Sequence, residues 1–209
     1  MSDPAGMALL DWIAPETGLR VEGDGVSLRP PRAPDYQEWR DVRTASRAHL
    51  QPWEPTWPSD DLSRAAFRRR LSAYARDREV GAAYPFFVFR NSDDALTGGI
   101  TLSNVRRGVA QMGSLGYWCG HPYVRQGHTL AAVRAMTEFA FRTLGLHRLE
   151  AACIPDNTAS RHLLEKAGFS EEGFARAYLK INGAWRDHVL FGLISPLRGP
   201  EGPDEGVSV

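Results

Sequence analysis

The sequence predicts an α/β (α+β) domain, with one central mixed, mostly antiparallel sheet flanked by helices. Three observations carry this. Residues 84–119 read as three successive strands joined by short polar turns, an antiparallel meander. Two strand-to-helix units follow, HPYVRQGHTLAA after the third of these strands and CIPDNTASRHLLEKAGF after the next. Asn182-Gly183 then sits between two apolar runs, the strongest short hairpin signal in the chain. Strands that alternate with helices after a meander give a mixed sheet covered by helices.

In chain order, residues 1–18 mix proline, glycine and acidic groups and read as an N-terminal arm. LRVEGDGVSLRPP is a hairpin, because alternating apolar positions flank Gly-Asp-Gly. Asp35 is the expected N-cap of a helix over DYQEWRDVRTASRAHL. QPWEPTWPSDD holds three prolines and can be neither helix nor interior strand. Its Trp53 and Trp57 are either packed in the core or line a cleft. LSRAAFRRRLSAYARDRE has helical spacing, with Asp60 or Asp61 expected to cap it. YPFFVFR, ALTGGITLSNV and MGSLGYWCG are the three meander strands. TLAAVRAMTEFAFRTLG is a helix ended by Gly145. HRLEAACIP is a strand, and DNTASRHLLEKAGF is a helix capped by Asp156 or Asn157 and ended at Gly168. FSEEGFARAYLKINGAWRDHVLFGLI closes the domain, assigned to residues 19–195, and residues 196–209 read as a flexible tail.

With 25 basic and 25 acidic side chains in 209 residues, the chain has no overall field that would draw it to nucleic acid or an anionic membrane. Arg68-Arg69-Arg70 reads as a solvated helix face. Cys119 and Cys153 lie in apolar runs, as free cysteines do in a reducing compartment, and zinc or another metal is not expected. No signal peptide or membrane-spanning stretch is visible, so the expected location is cytoplasmic.

The turn YVRQGHT, residues 123–129, raises the functional question. A helix N-terminus presents unpaired N–H groups and about half a positive charge, which suits a phosphate. Gly127 permits close approach, Arg125 adds a cation and Thr129 a hydroxyl. The common nucleotide fingerprints are absent, and a lone glycine before a helix is otherwise a turn.

The combination of GYWCGHPYVRQGHTLAA with PDNTASRHLLEKAGF resembles the acetyl-coenzyme-A-dependent N-acetyltransferase superfamily known as GNAT, over residues 19–195. QPWEPTWP, GYW and N-x-x-S are similar to its ribosomal-protein N-terminal acetyltransferases of the RimJ/RimL type. The resemblance implies that amides of Arg125, Gln126, Gly127, His128 and Thr129 hold the pyrophosphate, with Val124 and Thr129 departing from the family pattern and the His128 ring facing solvent. It implies a V-shaped splay beside Leu115, Tyr117, Trp118 and Cys119, where the pantetheine arm pairs like an added strand. Asn157 matches the asparagine that bonds this arm, and it also suits a helix cap. Backbone N–H groups near Tyr117 to Cys119 would form the oxyanion site.

Leu164 stands where many family members have a tyrosine acid, and Ser160 matches the serine that the RimL-like group places near the thiol. The resemblance thus makes Ser160 the candidate proton donor, directly or through water, against a plain first-turn role. Glu150 is the candidate base, against a surface carboxylate or a water relay, and His121 is a further titratable group near the turn. The implied reaction is acetyl transfer from acetyl-CoA to a primary amine, most simply the α-amino terminus of a ribosomal or other protein, whose reference pKa of about 8 makes deprotonation easy. A small amine such as a polyamine, amino acid or antibiotic would want acidic groups, which Glu54, Asp60 and Asp61 could supply. A coenzyme-binding module without turnover is the reading from a different class. A homodimer is compatible with the sequence.

Overall fold

Eight strands form one sheet in the order β1-β2-β3-β4-β5-β6-β8-β7. They are β1 (Val21–Gly23), β2 (Val26–Arg29), β3 (Tyr84–Arg90), β4 (Ala95–Arg106), β5 (Met112–Cys119), β6 (Arg148–Cys153), β7 (Ser170–Ile181) and β8 (Ala184–Ile194). The computed structural model describes residues 18–196. The N-terminal arm before Gly18, and the tail after residue 196, lie outside the described residues. Every neighbouring pair is antiparallel except β5 and β6, so the sheet is mixed as the strand and helix order requires.

Period-2 alternation sends side chains to two separate cores. On one face Phe86, Val88, Ile100, Leu102, Leu115, Leu149, Ala151 and Cys153 pack beneath helix α4 (His128–Glu138) and helix α5 (Thr158–Lys166). On the other, Phe87, Phe89 and Leu96 meet Tyr36, Trp39 and Phe67 from helices α1 (Tyr36–Ala45) and α3 (Arg64–Glu79). A short helix, α2 (Arg47–Leu50), follows α1, because the single helix expected over residues 35–50 breaks at the buried Ser46.

Several caps differ from expectation. Asp35 stands at the start of α1, but makes no side-chain cap bond to it. Its carboxylate is held instead by both terminal nitrogens of Arg29, at 2.8 Å each, and by the Arg32 amide. Ser63 caps α3 by accepting from the Ala66 N–H, while Asp60 and Asp61 bond Arg69 and Arg70. A side chain already shared with a guanidinium is not free to cap. Arg69 lies on the solvated face expected for the arginine run, whereas Arg70 is half-buried against Trp39. Helix α4 relaxes into a π turn at Phe139–Thr143 before Gly145 ends it with a positive φ. Asn182 and Gly183 both adopt positive φ, at 45° and 82°, as a two-residue hairpin turn between β7 and β8 demands.

Candidate active site

The seam between β5 and β6 is closed at only three positions, Met112 with Arg148, Gly113 with Leu149 and Ser114 with Glu150. Beyond Ser114, β5 runs on through Leu115–Cys119 with partners only on the β4 side, and β6 runs on through Ala151–Cys153 with partners only on the β8 side. The sheet is therefore split by a wedge. Backbone N–H and C=O groups facing the wedge have no strand partner, and a buried polar edge of this kind needs a ligand or water.

A cavity of about 980 Å³ occupies the wedge and is lined by residues from both faces of the sheet. Its α4/α5 side is lined by Leu115, Tyr117, Cys119, Cys153, Asn157, Ser160 and the turn Val124 to Leu130 without Gln126. Its other side is lined by His49, Trp53, Glu54, Trp118, Ala152, Leu179, Ile181 and His188.

The turn at the end of β5 is a helix entrance without a side-chain cap. Arg125 and Gly127 both take positive φ, at 61° and 83°, and Gly127 is the N-cap of α4. Left-handed residues two apart curl successive amides into an anion-binding concavity. The N–H groups of the first helical turn have no intrahelical acceptor, and the site of a Gly127 Cβ meets nothing within 4 Å. The space and the donor set fit a pyrophosphate. Gln126 is engaged otherwise: its amide nitrogen donates to the Pro122 carbonyl at 3.0 Å and its oxygen accepts from Arg90, so its side chain braces the turn from outside the cavity. His128 does not face solvent as expected. Its ring is half-buried with Nδ1 inaccessible and unpartnered, and burial, then Arg90, lowers its pKa. The Thr129 hydroxyl reaches the Cys119 thiol, whose pKa burial pushes up.

Across the wedge, Asn157 Oδ1 accepts from the Ser160 amide at 3.0 Å, so Asn157 is the cap of α5 and lines the cavity at once. Ser160 Oγ and the Tyr117 hydroxyl are 2.7 Å apart. Burial raises the Tyr117 pKa, opposed by the Ser160 hydroxyl, and keeps the phenol protonated. Leu164 is only 1% exposed and belongs to the core at this point. A phenol from β5 thus stands beside the first turn of α5. Sequence reasoning placed Tyr117 in the splay but gave its hydroxyl no role; the signal was a tyrosine on the same strand face as Leu115.

The remaining candidates separate. Trp53, 36% exposed, lines the side of the cavity away from α4 and α5. Trp57 does not reach the cavity: its indole N–H donates to Glu54 at 2.7 Å while its ring lies under Arg43, 4.1 Å from the ring centre. Glu150 is not among the cavity residues either. It sits at the last closed pair of the seam, on the strand face opposite Leu149 and Ala151, with its carboxylate on Arg148 at 3.1 Å; Arg148 in turn grips Glu172. Arg43 binds both oxygens of Glu54 at 2.7 Å, so the three acidic groups Glu54, Asp60 and Asp61 are each matched by an arginine. His121 is exposed, its ring 5.4 Å from that of His49. Among the described residues no three His, Cys, Asp or Glu side chains could together hold a metal ion.

Both the sequence and the fold of this chain are matched by known proteins. The family model described as an acetyltransferase (GNAT) domain matches residues 26–170. The chain is 34% identical over 164 residues to the ribosomal protein uS5-alanine N-acetyltransferase of Escherichia coli (strain K12), across 78% of this chain and 84% of that one. Among solved structures, Mycobacterium smegmatis RimJ in complex with CoA-disulfide is 32% identical with a TM-score of 0.79, over 85% of this chain and 86% of that one. The ribosomal-protein-S5-alanine acetyltransferase from Vibrio fischeri is 30% identical with a TM-score of 0.78, over 85% and 97%. The chain therefore belongs to the GNAT acetyltransferase family, as an N-acetyltransferase related to the RimJ/RimL ribosomal-protein enzymes.

Proposed function

We propose that the protein transfers the acetyl group of acetyl-CoA to the α-amino terminus of a protein, a ribosomal protein in the first instance. The observation that carries this is the wedge beyond Ser114, whose cavity is lined from both faces of the sheet. One face offers the amides at Arg125 to Thr129 for the pyrophosphate and the free edge of β5 for the pantetheine arm. The other is a separate mouth, apolar at Trp53, Trp118, Leu179 and Ile181, through which an extended N-terminus can meet the thioester.

In this reading the free N–H groups of β5 near Tyr117 to Cys119 stabilise the oxyanion that develops as the amine attacks. Tyr117 and Ser160 share one short hydrogen bond, and a protonated phenol held there delivers a proton to the departing thiolate directly or through the serine. The names of the relatives support an N-terminal alanine as first residue. A small cationic amine is the weaker match, because Glu54, Asp60 and Asp61 are already neutralised by Arg43, Arg69 and Arg70. Thiol release from acetyl-CoA, measured over peptides that differ in their first residues and over a panel of small amines, tests the reading. Turnover confined to small amines, or absent with every peptide, overturns it.

A further inference from the structure

The base is the part of the reaction that Glu150 leaves open, and β8 supplies a group for it. His188 lines the cavity and is 3% exposed. Its Nδ1 is 3.0 Å from the Arg186 carbonyl. A carbonyl only accepts, so Nδ1 carries a proton, and the lone pair with which this ring can act as a base is that of Nε2. Among the described residues Arg186 is the one hydrogen-bond partner of the ring, and Tyr178 packs edge-on at 5.6 Å. With Nδ1 turned back onto the main chain, Nε2 is the atom left for the cavity.

The register fixes which face this is. Val189 pairs with Cys153 and Leu190 with Ala152, so His188 lies just past the end of β6 and on the Ala152 face, opposite the Tyr117–Ser160 pair. The wall around it is Trp53, Ala152, Leu179 and Ile181. An ammonium entering such a wall must shed its charge, since desolvation favours the neutral amine. Glu54, the carboxylate on the same side, is occupied by Arg43 and Trp57. His49 stands at the rim beside the exposed His121.

We infer that Nε2 of His188 is the general base that takes one proton from the acceptor ammonium before attack. This rests on the acetyl-transfer reading. The freed amine lone pair forms the C–N bond as the C–S bond breaks. The thiolate takes a proton from the Tyr117–Ser160 pair, and the second amine proton, lost as the amide forms, restores that pair through solvent. Acid and base thus stand on opposite faces of the sheet, with the thioester between them in the wedge.

The test is His188→Asn in the full chain, because the asparagine amide can keep the bond to Arg186 while removing Nε2. The wild type is assayed first for thiol release with N-terminal peptides; if it turns over none of them, the acetyl-transfer reading fails and this inference falls with it. Given an active wild type, H188N is expected to lose about 100-fold or more in kcat/KM on an alkylammonium acceptor. It should keep the acetyl-CoA melting shift, and lose far less on an acyl hydrazide acceptor, which is neutral at the assay pH. His188→Ala should regain turnover on addition of imidazole, and carries the test if H188N does not fold. Wild-type rates in H188N, an equal loss on both acceptors, or no imidazole rescue of a folded H188A overturns the assignment.

Discussion

Replacing Gly127 by aspartate separates the fold from coenzyme binding. A Cβ at this position meets nothing within 4 Å, so the cost to the fold comes from the backbone alone. Holding an L-residue at a φ of 83° costs about 1–2 kcal/mol, and a carboxylate at a helix N-terminus returns about 0.3–1 kcal/mol. The net loss is about 1 kcal/mol, or about 2–4 °C in Tm for a domain of this size. Binding suffers much more. A carboxylate about 4 Å from a phosphate charge costs about 4 kcal/mol at an effective dielectric of about 20, which is roughly 1000-fold in Kd. At a coenzyme concentration about 100 times Kd the wild type gains about 2.7 kcal/mol, equivalent to about 5–11 °C, and the variant gains almost nothing. Thermal melts of both proteins with and without acetyl-CoA read both quantities. A G127D variant that keeps the full coenzyme shift would refute the turn as the pyrophosphate site.

Four further outcomes are expected. Ser160→Ala and Tyr117→Phe should each lower kcat about 100-fold, and the double variant should be scarcely worse than either, since the 2.7 Å pair acts as one donor; additive losses in steady-state kinetics would separate them. Arg43→Ala leaves the Glu54 carboxylate half-buried without its cation, and should cost about 3 kcal/mol and about 6–12 °C in a melt. His49 and His128 both titrate below the ordinary imidazole range because burial disfavours the charged ring. The unfolded chain therefore binds these protons first: their contribution is present above about pH 6.5 and is lost as pH falls below it, so His128→Asn should flatten the acid side of a Tm–pH curve. Conversely, burial raises the Tyr117 pKa, so any stability it adds is lost only as pH rises beyond about 10, and kcat should show no limb from this phenol below that point.

The half of the site proposed for the coenzyme was legible in the sequence because its geometry is local. A bare helix N-terminus needs only a glycine in the last position before the helix, and Gly127 stands there with Arg125 two residues earlier. Asn157 announces the second helix by the spacing that lets its side chain reach the Ser160 amide. The succession of strands and helices along the chain and both hairpins followed from period and turn chemistry. Asp60 and Asp61, expected as caps of α3, bond Arg69 and Arg70 instead, and Glu150 bonds Arg148, whose guanidinium also reaches Glu172. Spacing along the chain shows what a side chain can do, but not which cation arrives first.

The half proposed for the acceptor, of which only Trp53 was read from the sequence, was harder to read for a deeper reason. Its walls come from residues 49–54, from Trp118, from Ala152 and from residues 179–188, segments that meet only once the sheet is built. The WEPTW loop is tied to the hairpin turn by one main-chain bond, Asn182 N–H to the Glu54 carbonyl at 2.9 Å, while the Glu54 side chain is clamped by Arg43 and Trp57. Arg43 also lies 5.0 Å over the Trp118 ring. One buried cation thereby joins the loop to β5, and the loop's own main chain joins it to the hairpin. Acceptor preference can change through residues such as Trp53 and Leu179 at the mouth, while the Arg43 clamp holds the mouth against the wedge. The same sheet can then serve different amines without disturbing how it holds the thioester.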